Sequence, residues 1–212
     1  NVKKGMSALK YMKSIEGNEQ DLLTDLTLTF ETPVQFNDSF PIVLCDTLNK
    51  PLPNYTVSID TATKKVVTIH YDWIESTPMR LIIPKRSLLD SNQNYIAKAD
   101  TIKFITKSDA AYGSALVRVS GYQNMGHPIL LLTKENKLAF SYPIKQSLIQ
   151  MLKLPPGDYD LKVLDDTNNN GIWDTGKYNN SIKQQPEIVK KLTDILNIKA
   201  NWENEVNVII NK

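Results

Sequence analysis

Short runs in which apolar and polar side chains alternate, each closed by Gly, Pro or an Asn/Asp cluster, constrain this chain more than any other feature. In Leu26-Thr-Leu-Thr-Phe30, Leu26, Leu28 and Phe30 share one face, Thr27 and Thr29 the other, and Thr32-Pro33 ends the run. A period of two belongs to a strand with one buried face, because successive side chains leave a pleated backbone on opposite sides. Val66–Tyr71 repeats the pattern with Val67, Ile69 and Tyr71 together. Met79–Pro84 and Thr101–Thr106 add two more strands, with turn-forming Asp90–Asn94 between them. Several short strands at this spacing predict an all-β sandwich.

The strand signal stops at Lys107–Gly113, a polar and small-residue stretch suited to a domain joint, and restarts at Ala115–Ser120. Further strands follow at Ile129–Thr133, Leu138–Tyr142 and Ser147–Leu154, and the turn Pro155–Asp158 leads into Tyr159–Leu164. The expected architecture is therefore two β-sandwiches in tandem, residues 1–108 and 109–212. A chain of 212 residues can bury two such cores without metal or disulfide staples. One stretch departs from the pattern. Pro186–Asn197 has Pro and Glu in a first-turn position and apolar residues at 188, 189, 192, 195 and 196, a spacing that taken alone predicts a helix.

With 41% hydrophobic and 23% charged residues, the chain is neither disordered nor collagen-like. Apolar runs such as Ile129–Leu132 fall far short of the roughly 20 residues that span a bilayer as a helix, so no transmembrane segment is expected. Basic residues number 25 against 23 acidic, split 13 against 12 over residues 1–107 and 12 against 11 over 108–212. Neither half is a basic module, and Arg80, Arg86 and Arg118 are the only arginines, so nucleic acid is not an expected partner. The single cysteine, Cys45, lies in the apolar run Pro41–Cys45 and reads as a buried small hydrophobe. The sequence opens at Asn1 with neither initiator Met nor signal peptide, which suggests a mature product or an excised fragment.

Leu26-Thr-Leu-Thr-Phe-Glu-Thr-Pro-Val34 resembles the "TLTF-x-x-PV" strand of bacterial Ig-like domains of the S-layer type. Arg80-Leu-Ile-Ile-Pro84, Leu88-Leu-Asp90 and Asp100–Thr106 resemble that family's closing strands, in the same order; Asn92–Asn94 replaces its usual turn glycine. The match covers about residues 5–107. The second half is more distinctive: Leu154-Pro-Pro-Gly-Asp-Tyr-Asp-Leu-Lys-Val163, Asp165–Gly176, Gln185-Pro-Glu187 and Ala200-Asn-Trp202. It resembles the transthyretin-like, Cna-B-related C-terminal module of multi-domain bacterial Ig-like envelope lipoproteins, over about residues 110–212. That resemblance implies extended arms and strands at 186–210, and this expectation is preferred to the helix.

The Asp/Asn loop is the strongest candidate for chemistry. Asp166, Asn168, Asn170, Gly171, Ile172 and Asp174 match positions 1, 3, 5, 6, 7 and 9 of a calcium loop, where oxygens converge and glycine permits the turn. Asp165 adds a neighbouring carboxylate, but position 12 is Lys177 where the helical version has a bidentate glutamate, so calcium would bind at the weak end, roughly 10⁻⁴ to 10⁻³ M. The same side chains can instead bond their own backbone as Asx turns and hold the loop without metal. Trp173, inside the loop, is either an exposed stacking platform for a ligand or a ring packed on the sandwich edge. Trp73 and Trp202 read as core or edge aromatics. His70 and His127 belong to no metal spacing, and no nucleophile elbow or phosphate-cradling glycine loop is present.

The expectation is a non-catalytic structural and interaction module, the C-terminal part of a longer bacterial envelope protein. Its partners would be neighbouring domains of the same polypeptide and an envelope protein or glycan. The resemblance implies a periplasmic or cell-surface address, with a lipid anchor through an upstream segment. The alternative is a calcium-dependent glycan- or protein-binding module acting through the loop and Trp173.

Overall fold

The computed structural model describes residues 8–179 and 182–210, and in it the alternating stretches are strands. The protein is all-β; among the described residues the one helical turn is the 3-10 turn Asp109–Ala111, and no helix is long and apolar enough to cross a membrane. The chain divides into two compact units, Asn1–Ser108 and Asp109–Lys212.

Unit 1 contains β1 (Tyr11–Lys13), β2 (Glu19–Gln20), β3 (Leu26–Phe30), β4 (Val34–Phe36), β5 (Val43–Cys45), β6 (Thr56–Ile59), β7 (Val66–His70), β8 (Pro78–Ile83), β9 (Leu88–Asp90) and β10 (Asp100–Thr106). One sheet has the order β1-β3-β7-β6 and the other β2-β10-β8-β5, with β4 and β9 as a short separate pair. The alternation read from Leu26 to Phe30 decides which faces meet. Leu26, Leu28 and Phe30 join Val67 and Ile69 from the first sheet with Leu44, Met79, Leu81, Ile83, Ile102 and Phe104 from the second in one core. Burying each large aliphatic side chain contributes about 1.5–3 kcal/mol.

Carboxylates fix the turns between these strands. Asp60, after β6, accepts hydrogen bonds from the backbone N–H groups of Val66 (2.8 Å), Thr63 (2.7 Å) and Lys65 (2.9 Å) and from the Thr63 hydroxyl. These donors hold its carboxyl far below the ordinary carboxylate range. Asp90 holds the Asp90–Asn94 turn in the same way, taking the N–H groups of Asn92 and Asn94 and the Asn94 side-chain amide. Cys45 is buried, as expected for a small hydrophobe.

Unit 2 contains β11 (Gly113–Ser120), β12 (Pro128–Lys134), β13 (Lys137–Pro143), β14 (Leu148–Leu154), β15 (Gly157–Asp165), β16 (Lys177–Asn179), β17 (Ile182–Gln184), β18 (Ile188–Ile198) and β19 (Glu203–Ile209). Its sheets are β14-β11-β19 and β13-β12-β15-β18, with β16 and β17 as a hairpin pair. Val117 and Val119 of β11, Met151 of β14 and Val208 of β19 meet Leu130, Leu132, Tyr159, Leu161, Leu192 and Leu196 in a second core. Tyr159 is almost fully buried, and its hydroxyl donates to the Pro155 carbonyl at 2.8 Å, so the ring pins the turn that starts its own strand. β19 runs parallel to β11 over seven residue pairs, Ser114↔Glu203 to Ser120↔Ile209.

The helical spacing at 186–197 is overridden, and the stretch is strand β18, as the resemblance implied. Its pairing with β15 runs from Asp165↔Ile188 to Lys162↔Lys191 and resumes at Asp160↔Ile195, so residues 192–194 stand opposite Leu161 alone. Leu192 and Leu196 both face inward four residues apart, a spacing at which a strand and a helix alike set two side chains on one face.

Candidate functional site

Strand β15 ends at Asp165, and the Asp/Asn loop begins at the next residue. Asp166 is fully buried, with Oδ2 accepting the Gly171 N–H at 2.7 Å and Oδ1 the Asn170 N–H at 3.2 Å. Asn168 Oδ1 accepts the same Asn170 N–H at 3.0 Å, and Asn170 Oδ1 accepts the Ile172 N–H at 2.9 Å. The two asparagines make Asx turns in series, each oxygen returning to the backbone two residues on, while Asp166 reaches four and five residues ahead. Gly171 occupies the left-handed region at φ +81° with open space where a Cβ would stand, so the turn requires glycine for conformation and not for room.

The nitrogens of the two amides turn the other way. Asn170 Nδ2 donates to Asp174 Oδ2 at 2.7 Å, and Asn168 Nδ2 donates to the same oxygen. Asp165 stands apart from this cluster: its Oδ1 accepts the Gly126 N–H at 2.9 Å and ties the loop base to the Met125–Pro128 turn. His127 lies in that turn, 3.1 Å from the Asp166 carbonyl. A carbonyl only accepts, so His127 Nδ1 carries the proton.

The residue that organises the loop is Glu187, which sequence reasoning placed in a helical first turn. Its carboxylate is buried; Oε1 accepts the Thr167 N–H (2.8 Å) and hydroxyl (3.0 Å), while Oε2 accepts the Asp174 N–H (3.0 Å). The backbone closes the brace, with Glu187 N–H donating to the Asp174 carbonyl at 3.1 Å and the Trp173 indole N–H to the Glu187 carbonyl at 2.9 Å. Trp173 is therefore anchored by its nitrogen, with the residue as a whole 50% exposed. The signal that would have found Glu187 is register: pairing Asp165 with Ile188 sets Glu187 beside the start of the loop.

In this structure the loop's side chains are bonded to backbone and to one another. The oxygens of Asp166, Asn168 and Asn170 are turned to backbone N–H groups, and amide nitrogens, which cannot ligate a cation, face Asp174. Ile172 takes part through its N–H, and its side chain is exposed. Among the described residues, no three His, Cys, Asp or Glu side chains are grouped as metal ligands. The arrangement works as a strut: four acidic or amide side chains and one buried glutamate turn a long loop into a hydrogen-bonded unit.

No family model matches the chain, and no curated protein matches it. Among solved structures it is similar to the Bacillus anthracis TIE protein, with a TM-score of 0.27 and 10% identity, over 98% of this chain and 42% of that one. It is also similar to the Group B Streptococcus pullulanase SAP, with a TM-score of 0.21 and 11% identity, over 84% of this chain and 26% of that one. The chain spans less than half the length of either protein, and at these TM-scores neither likeness bears on its chemistry.

Proposed function

We propose that the chain is a non-catalytic structural and interaction module of a bacterial cell-envelope protein, joined to neighbouring domains of the same polypeptide. The observation that carries this reading is the use made of the polar side chains in the loop. Asp166, Asn168, Asn170, Asp174 and Glu187 spend their hydrogen-bonding capacity on backbone and on one another, which stiffens the loop and leaves little for a substrate. Both sandwich interiors are filled by apolar side chains, as in folds that present surfaces and do not enclose ligands. The Ig-like and transthyretin-like resemblance supplies the envelope address and the lipid anchor of this proposal.

The test is fractionation of cells that carry the protein, with antibody detection and external protease. Recovery with the envelope, cleavage once the outer barrier is opened, and incorporation of a labelled fatty acid are expected. Recovery from the cytosol would overturn the envelope reading.

A further inference from the structure

Strand β10 is paired along one side by β8, from Asp100↔Ile83 to Ile105↔Pro78. On its other side it is paired only at the end, where β2 runs parallel at Ile105↔Glu19 and Thr106↔Gln20. The chain ahead of β2 pairs with the opposite sheet as β1, and before that Leu9 makes an isolated bridge to Ile96, ahead of β10. Between that bridge and the Asn18 carbonyl, which accepts the Ile105 N–H at 3.0 Å, no described strand pairs the edge of β10. Ile105 and Lys107 direct their N–H groups toward the β2 side and Thr106 directs its own to Thr77 on the β8 side. By strand alternation Thr101 and Lys103 face the open edge. The Thr101 N–H is taken by Asp100 Oδ1 at 2.8 Å, and Lys103 presents its N–H and C=O to an edge that no described strand pairs.

A cleft of about 1010 Å³ follows this edge, floored by Ile96, Ile102 and Phe104. Lys10, Lys13, Lys98 and Lys103 stand around it, all exposed. Asp100 is the one carboxylate of the lining, and both its oxygens are engaged: Oδ1 by Thr101 N–H and Oδ2 by the Tyr11 hydroxyl at 2.5 Å. The cleft thus offers an unpaired strand edge, an apolar floor and four cations.

We propose that this cleft binds an extended, carboxylate-rich segment of a partner protein, added as a strand beside β10. Main-chain hydrogen bonds to Lys103 would hold it, and its alternate side chains would point to the apolar floor and to the lysines. Charge selects this occupant. The residues Asn1–Ser7 of the chain itself carry Lys3 and Lys4 and no carboxylate, the same sign as the rim. A second copy pairing antiparallel about Lys103 would set that lysine against its own counterpart and bring two lysine-rimmed edges together, which is unfavourable across a sheet. The proposal deepens the interaction-module reading and rests on it.

The experiment titrates the full ¹⁵N-labelled chain with a peptide alternating glutamate with valine and threonine, with two comparison peptides. In one, proline replaces valine, keeping the charge but removing ladder donors; in the other, lysine replaces glutamate. The expected result is saturable binding of the first peptide alone, with shifts confined to Leu9–Lys13 and Lys98–Ile105 and slowed exchange of the Lys103 amide. Affinity should fall about tenfold or more on raising salt from about 50 to about 500 mM, where screening shortens the reach of the lysines. Lys98→Glu with Lys103→Glu should weaken it about tenfold or more by reversing rim charge. Lys103→Pro should do the same while preserving the fold, because that N–H points away from the β8 ladder. Absence of binding, equal binding of the proline peptide, or affinity unchanged in both variants would overturn the proposal. The outcomes are separable from those of the envelope reading. Failed binding with envelope recovery removes only this surface, and binding with cytosolic recovery removes only the address.

Discussion

Glu187 receives two backbone N–H groups and one hydroxyl on a single buried carboxylate, so its removal leaves donors stranded instead of merely deleting contacts. Glu187→Ala is expected to destabilise unit 2 by about 3 kcal/mol, and Glu187→Gln by less, since the amide oxygen still accepts. Urea unfolding followed by Trp173 and Trp202 fluorescence measures both. The self-bonded loop also makes a prediction about calcium. A site with a dissociation constant of about 10⁻³ M would add about 1.4 kcal/mol in about 10 mM calcium, whereas thermal melts in calcium and in chelator are expected to coincide. Asp60 governs the acid response of unit 1. Its folded-state pKa is depressed, so its stabilisation is complete above the unfolded carboxylate value of about 3.9 and is lost as pH falls below it. Asp60→Asn should be less stable than the parent at pH 7, and the gap should narrow on acidification below about pH 4; urea midpoints across that range measure it.

At the scale of elements, β18 shows what the sequence could and could not disclose. Strands such as Leu26–Phe30 were legible because strict alternation has one structural meaning, and their inward residues are those that form the core. Alternation is masked in β18, where Leu192 and Leu196 are buried but Ile188, Val189 and Ile195, equally apolar, are exposed. Register against a distant strand is a tertiary property, and no local period encodes it. Glu187 was hidden for the same reason: its role depends on the β15–β18 pairing, and the Asp/Asn spacing alone left both metal ligation and Asx turns open. A substitution pair separates strand from helix. On a helix, 195 and 196 would share one apolar stripe; in β18 they face opposite ways. Ile195→Thr is expected to change stability by less than about 0.5 kcal/mol and Leu196→Ala to cost about 2–5 kcal/mol, measured by denaturant midpoints.

For the molecule as a whole, each unit owns its core: one draws only on residues from Leu9 to Phe104, the other only on residues from Ala115 to Ile210. Residues 1–108 and 109–212 produced separately should each give a strand-type circular dichroism spectrum and a cooperative melt. The parallel pair β11 and β19 has a mechanical consequence. Because the two strands run side by side in one direction, Gly113 and Ile209 lie at opposite ends of the pair, about 20 Å apart along the ladder. Tension drawn through the chain between those points would slide β11 and β19 lengthwise past each other and strain all the rungs between them together. An antiparallel hairpin pulled at its open end yields one rung at a time; this unit meets a pull as a shear joint.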